Sequence, residues 1–399
     1  MMERQPLSRS VLILAVALAG ALLAGCRGGG GITTGSQAAP AARPGENAPA
    51  RSGAEALPVE ERLRAPEGFR VEQVAQGLQG VRLLAFSPDG RLFATQPRSG
   101  RVTLVPIGGG APTAWATGLN RPHGIAFHDG FLYVAETDAV VRWRYQPGAQ
   151  RAPGAPERVA SLPGGGSHWT RTLRFGPDGK MYVSIGSTCN VCIEDDPRRA
   201  AILQFAPDGS GERIFASGLR NTVGFDWDAQ GRLWGVDNGT DNMGDNFPPE
   251  ELNLIQDGGF YGWPYAHGDC VPDPRYGSRR PEMVERCIPP AFKITAHSAP
   301  LGIIFYQAEQ FPEAYRGDAF ITLHGSWNRS APSGYKVIRI HFSNGQPVAM
   351  SDFITGFGQG RGAWARPVGI VTGPDGSLYL SDDRAGSIWR VRYTGSSGS

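Results

Sequence analysis

One pattern returns six times along this chain and leaves few folds open. Each copy has a Gly or small residue, an alternating strand, a tight turn often spelled Pro-Asp-Gly, and a second alternating strand. The copies are LLAFSPDGRLFATQ from Leu83, GIAFHDGFLYVAE from Gly124, LRFGPDGKMYVSIG from Leu173, GFDWDAQGRLWGVDNG from Gly224, LGIIFYQAEQFPEAYRGDAFITLHGS from Leu301 and GIVTGPDGSLYLSDD from Gly369. A further strand follows each, such as RVTLVP or SIWRVRY, and another often precedes, as in ERVASL and ERIFASGL. Four strands per unit at roughly 40 to 60 residues is the period of a propeller blade. The sequence therefore predicts an all-β fold, a six-bladed β-propeller with four-stranded blades, over residues 58–395. An array of β-sandwiches explains less well why copies keep Gly at the same inner-strand start. Each hairpin, by its alternation, is expected to bury one face.

The first residues bear on the compartment. Arg4 and Arg9 precede an apolar run from Val11 to Leu23, too short for a stable span, and Leu23-Ala24-Gly25-Cys26 resembles the bacterial lipobox. Residues 1–25 are expected to be a lipoprotein signal peptide and Cys26 the lipidated residue. An ordinary secretory signal with a chance cysteine is the alternative. Residues 26–57 are Gly, Ala, Pro, Ser and Thr with almost no bulky apolar residue, a flexible linker of roughly 30 Å reach. The expected location is the bacterial cell envelope, periplasmic or surface-exposed, with the lipid anchor as the membrane contact. Export favours disulfides among Cys189, Cys192, Cys270 and Cys287. Of three pairings, Cys189–Cys192 with Cys270–Cys287 needs the least chain geometry, and a four-cysteine zinc site is the rival. A net charge of +2 without a Lys/Arg-rich run gives no case for nucleic acid.

In a propeller the loops at the ends of the innermost strands converge on the central channel. Residues just before the first inner strand or just after the second are His123, His168, Arg220, Asn221, Asp237 to Asp245, His324 to Arg329, and Arg366. That set is polar, cationic and aromatic, as expected of a site for a small anionic ligand. His168, on a Gly-rich loop, is the best candidate for a catalytic base.

Four stretches carry a resemblance: GSHWTRTLRFGPDGK at 166–180, ASGLRNTVGFDW at 216–227, VDNGTDNMGDNFPPEELNLIQDGGFYGWP at 236–264, and ARPVGIVTGPDGSLYLSDD at 365–383. Together they resemble the soluble glucose and sorbosone dehydrogenase family, quinoproteins that use pyrroloquinoline quinone (PQQ) and calcium. CNVC and HGSWNR look closer to its sorbosone and pyranose dehydrogenase branch. The resemblance implies a sugar substrate, an external electron acceptor, and His168 as the base. It implies that Arg220 and Asn221 polarise the reacting quinone carbonyl and that Arg366 binds the cofactor. Arg329 is a candidate for a second carboxylate clamp. Gly239 and Thr240 match backbone carbonyls that hold the cofactor's calcium, with a second calcium expected at Glu251, Tyr261 and Asp269. The chain also departs from the pattern. Ser187 and Ser167 stand where the glucose enzyme has aspartates, Ser187 at the position that orients the histidine. Val368 replaces an arginine, and Cys192 a glutamine that touches substrate. Two rivals remain: a non-catalytic propeller that binds a glycan or protein, and a lactone hydrolase with a carboxylate-rich metal centre on the channel axis.

Overall fold

The structure, a computed structural model, describes residues 59–395; the expected signal peptide, Cys26 and the 26–57 linker lie outside the described residues. Six antiparallel four-stranded sheets form a six-bladed propeller. The innermost strands are Leu84–Phe86, Gly124–His128, Arg171–Phe175, Thr222–Trp227, Pro300–Phe305 and Pro367–Thr372. Each neighbours the next, and the last returns to the first, closing the ring around a channel. Strands run from inside to outside in chain order, so ERVAS and RIFAS, which precede repeats, complete the blades before them. Blade six is closed differently. Its outer strand is Phe69–Ala75, from ahead of the first repeat, paired antiparallel with Ser387–Tyr393.

The hairpins do not bury one face, as their alternation suggested; the second strands bury both. Leu92–Gln96, Met181–Ile185, Leu233–Asp237, Ala319–Leu323 and Leu378–Asp382 are buried along their whole length. The reason is that every blade is flanked by two others. Phe93, Trp115 and Trp143 fill the gap between blades one and two, and Tyr133, Leu173 and Met181 the next. Tyr182 with Phe225, Trp234 with Ile338, Phe320 with Trp389, and Leu92 with Tyr379 continue the series around the ring. At about 2 kcal/mol for each large apolar side chain removed from water, these gaps supply the main cohesion.

The recurrent inner-strand glycines have a steric cause. A Cβ at Gly124 would lie 2.6 Å from Leu173 N, at Gly224 2.7 Å from Leu301 O, at Gly302 2.6 Å from Val368 O, and at Gly369 2.6 Å from Arg82 O. Adjacent blades approach too closely at the channel for any side chain there. One insertion breaks the regular plan. Between the third and fourth strands of blade four, residues 256–291 carry a short hairpin, Ala266–His267 with Val271–Pro272, and the helix Pro281–Glu285. This insertion folds over the loop ends that form the site.

Candidate active site at the channel mouth

His168 is held from two sides. Below it, the buried Arg171 donates to the carbonyls of Pro163 (2.6 Å), Thr170 (2.7 Å) and His168 itself (3.0 Å), pinning the Gly-rich loop to the first strand of blade three. Beside it, Nδ1 lies 3.0 Å from Ser187 O and 2.9 Å from Ser187 Oγ, and that hydroxyl donates onward to Cys189 O at 2.7 Å. A carbonyl only accepts, so Nδ1 carries the proton and Nε2 keeps its lone pair. Burial, with the nearby Arg220 charge, pushes His168 down to about 3. At neutral pH it is thus a neutral imidazole with a fixed tautomer, ready to accept a proton at Nε2. Serine performs the orienting task expected of an aspartate but adds no negative charge.

Arg220 and Asn221 lie against this group. Ser187 N donates to Arg220 O at 2.9 Å, and at Gly186 a Cβ would come within 2.6 Å of His168 Cβ and 2.5 Å of Asn221 Oδ1. Only glycine permits that approach. The guanidinium of Arg220 is buried and commits four of its five N–H groups to protein acceptors: Asn190 O (3.0 Å), Asn190 Oδ1 (2.8 Å), Asn238 O (3.0 Å) and Asp241 Oδ2 (2.9 Å). It therefore presents a fixed positive charge. Asn190 also accepts from Asp241 N and donates to Asp241 O, and the Cys189–Cys192 disulfide closes the short turn that presents it. Removing that side chain leaves a buried cation short of an acceptor, so Asn190→Ala is expected to cost about 2 kcal/mol in urea unfolding. A loss under about 0.5 kcal/mol, the scale of an ordinary surface change, would show that the clamp is idle.

On the other side of the mouth is a cavity of about 740 Å3 lined by Arg82, Arg98, Arg101, Arg121, Arg366 and Arg384. Trp169 and Asp383 also line it. Arg82 pairs with Asp383 at 2.9 Å, and Asp383 also meets His324 Nε2 at 3.0 Å, which holds that carboxyl well below the usual range. Arg366 donates to the carbonyls of His324 (2.9 Å) and Gly325 (2.8 Å). This donor set matches a ligand with several carboxylates, and PQQ fits it.

A second cavity, about 10 Å3, lies beneath Arg220 and is lined by Asp237, Gly239, Thr240, Glu251, Tyr261 and His267 among others. Burial pushes Asp237 up to about 6, Glu250 to about 7 and Glu251 to about 8. Glu250 accepts from Gly239 N (2.7 Å) and Ala299 N (2.9 Å); Glu251 accepts from Gly268 N (3.0 Å) and Asn253 Nδ2 (3.0 Å). Three buried carboxylates face one guanidinium that Asp241 already engages. A hard divalent cation with oxygen ligands, such as calcium, fits that excess of negative charge.

The chain matches the TrAA12-like family over residues 63–271 and 281–394. It belongs to that family. An uncharacterized protein of Borreliella burgdorferi is 32% identical over 359 residues, covering 83% of this chain and 91% of that one. The pyrroloquinoline quinone-dependent pyranose dehydrogenase of Coprinopsis cinerea is 24% identical over 402 residues, covering 83% of this chain and 54% of that one. This chain thus spans about half the length of the Coprinopsis protein. The holo form of the pyranose dehydrogenase PQQ domain from Coprinopsis cinerea superposes with a TM-score of 0.72 at 23% identity, covering 83% of this chain and 97% of that domain. The likeness of structure establishes the shared propeller fold.

Within this TrAA12-like chain, the structure gathers most of the residues singled out from sequence and separates two. His168, Arg220 and Asn221 converge, with Arg366 across the mouth in the arginine-lined cavity. Gly239, Thr240, Glu251 and Tyr261 were expected at two metal sites, but all four line the one small cavity. Asp269 is not there: it is exposed and pairs with Lys293 Nζ at 2.6 Å. Arg329 is a loop clamp rather than a free carboxylate binder. Its guanidinium donates to the carbonyls of Ala331, Asp245 and Ala296 and to Asn246 Oδ1, because the turn after HGSWN folds it onto that backbone. Both local disulfides form, Cys189–Cys192 and Cys270–Cys287, so those thiols are not zinc ligands. Sequence reasoning missed Arg171, Asn190, and the cavity arginines other than Arg366. Arg82, Arg98 and Arg121 all fall at inner-strand ends of blades one and two, and the repeat register alone marks them.

Proposed function

We propose that this protein is a PQQ- and calcium-dependent dehydrogenase that oxidises an aldose or sugar aldehyde and passes the electrons to an external acceptor. One observation carries the reading: a neutral, tautomer-fixed histidine beside a buried guanidinium, at the mouth of a cavity rich in arginine. The name of the Coprinopsis relative supports it. PQQ, when bound, supplies an ortho-quinone that takes a hydride. His168 Nε2 accepts the proton of the sugar hydroxyl, while its Nδ1–H stays on Ser187 and keeps the ring in place. Arg220, held rigid by Asn190 and Asp241, provides positive charge next to Asn221 where negative charge develops. Arg366 and Arg82 would hold carboxylates, and Gly239, Thr240 and Glu251 would hold calcium. CNVC, which supplies the Asn190 clamp, favours the sorbosone-like branch. On the Leu23–Cys26 signature we place the protein in the cell envelope, lipid-anchored.

A propeller that only binds glycans or proteins has no use for a base with a free lone pair beside a fixed cation. The test is reconstitution of the chain without residues 1–26, with PQQ in the presence and absence of calcium, following dye reduction across aldoses, sorbosone and lactones. Activity that requires both additions is the expected result. Absence of PQQ binding with calcium present would remove the enzyme reading and leave the binding propeller.

A further inference from the structure

The arginine-lined cavity holds more positive charge than a cofactor with three carboxylates neutralises. Six arginines and one aspartate line it, a net of five positive charges in a chain whose whole net charge is +2. Three carboxylates leave two charges unmatched. Their location is uneven. Arg82 and Arg366 are the deeper pair and engage Asp383 and the 324–325 carbonyls. Arg98, Arg121 and Arg384 are exposed at the rim, and their guanidinium groups make no hydrogen bond or ion pair among the described residues. Arg121 instead stacks over the Trp169 ring, 4.1 Å from its centroid. Trp169 directly follows His168 in the chain and lines the cavity, so the wall that carries the rim cations begins one residue from the base. Like charges gathered in one concavity repel unless a ligand compensates them, and they draw anions to the mouth.

We propose that the substrate is an anionic aldose, carrying a carboxylate or a phosphate, whose charged group is held by Arg98 and Arg121 at the cavity rim beside Trp169. Bidentate arginine contacts suit either oxyanion. The site thereby selects sugars whose charge lies at the end remote from the carbon that loses hydride. This rests on the dehydrogenase reading, and the experiment separates the two.

With the reconstituted enzyme, kcat/KM for glucuronate or glucose 6-phosphate is expected to exceed that for glucose by about tenfold or more at low salt, the advantage shrinking as salt rises. The two charged sugars tell carboxylate from phosphate. In the double variant Arg98→Gln/Arg121→Gln the ratio of charged to neutral kcat/KM should fall towards one. Equal or better use of glucose at low salt overturns the proposal, as does a ratio the double variant leaves unchanged. If no sugar is turned over, the dehydrogenase reading has failed, and calorimetric titration of the cofactor-free protein decides alone. Binding of a charged sugar that disappears in the double variant sustains the site. No binding, or inorganic phosphate bound as tightly as the sugar phosphate, overturns it.

Discussion

Replacing His168 by alanine is expected to lower kcat of the reconstituted enzyme by about 10^2- to 10^4-fold, with PQQ still bound. The size follows from the geometry. Nε2 is the one strong proton acceptor that the 163–170 loop presents, and no carboxylate stands behind His168 to take over its task. The pH profile carries more information than the loss itself. Burial and the Arg220 charge push His168 down to about 3, and a base acts in its deprotonated form, so the acid limb of kcat/KM should fall well below the ordinary histidine value of 6.5. Ser187→Asp would place a negative charge where Ser187 Oγ now lies, 2.9 Å from Nδ1. An opposite charge at that range favours the protonated imidazole, so the limb should move up by about one unit or more. A limb that stays put in Ser187→Asp, or full activity in His168→Ala, would assign the proton transfer to another group.

How far the sequence discloses such a site depends on what kind of signal each residue leaves. The blades were legible because period-2 alternation, Pro-Asp-Gly turns and the inner-strand glycines recur at one register, and the glycines answer to a backbone approach of under 3 Å that no other residue survives. His168, Arg220 and Asn221 were legible through their place at strand ends. Burial of both faces of the second strands was not, since it belongs to the neighbouring blade and not to the hairpin's own pattern. Arg329 and Asp269 went astray for a related reason. A charged residue in a loop has many partners within reach, and composition does not say whether it turns inwards or pairs locally, as Asp269 does with Lys293. Arg171 and Asn190 were not singled out, although they hold the base and the cation in place. Positioning residues work through backbone carbonyls, which leave no mark in a one-letter code.

Calcium is expected to stabilise the protein far more at pH 8 than at pH 5. Asp237, Glu250 and Glu251 have folded-state values of about 6, 7 and 8, each above its unfolded value, so the folded state holds protons that the unfolded state has already released. Stability from these groups is fully present below about pH 4 and is lost as pH rises through 6 to 8. A divalent cation beside them reverses the sign, because it favours the charged carboxylates and competes poorly with protons at low pH. Melting curves should therefore show a calcium-induced rise of about 5 °C or more at pH 8 and about 2 °C or less at pH 5. Glu251→Gln isolates one contributor. Its amide still accepts from Gly268 N, and after a flip of Asn253 it donates to Asn253 Oδ1, a buried oxygen with no partner among the described residues. This variant should melt higher than the parent at pH 8 without calcium, match it at pH 5, and gain less from the metal. A calcium effect equal at both pH values, or a variant that melts lower at pH 8, would mean that the carboxylates meet some partner other than a metal.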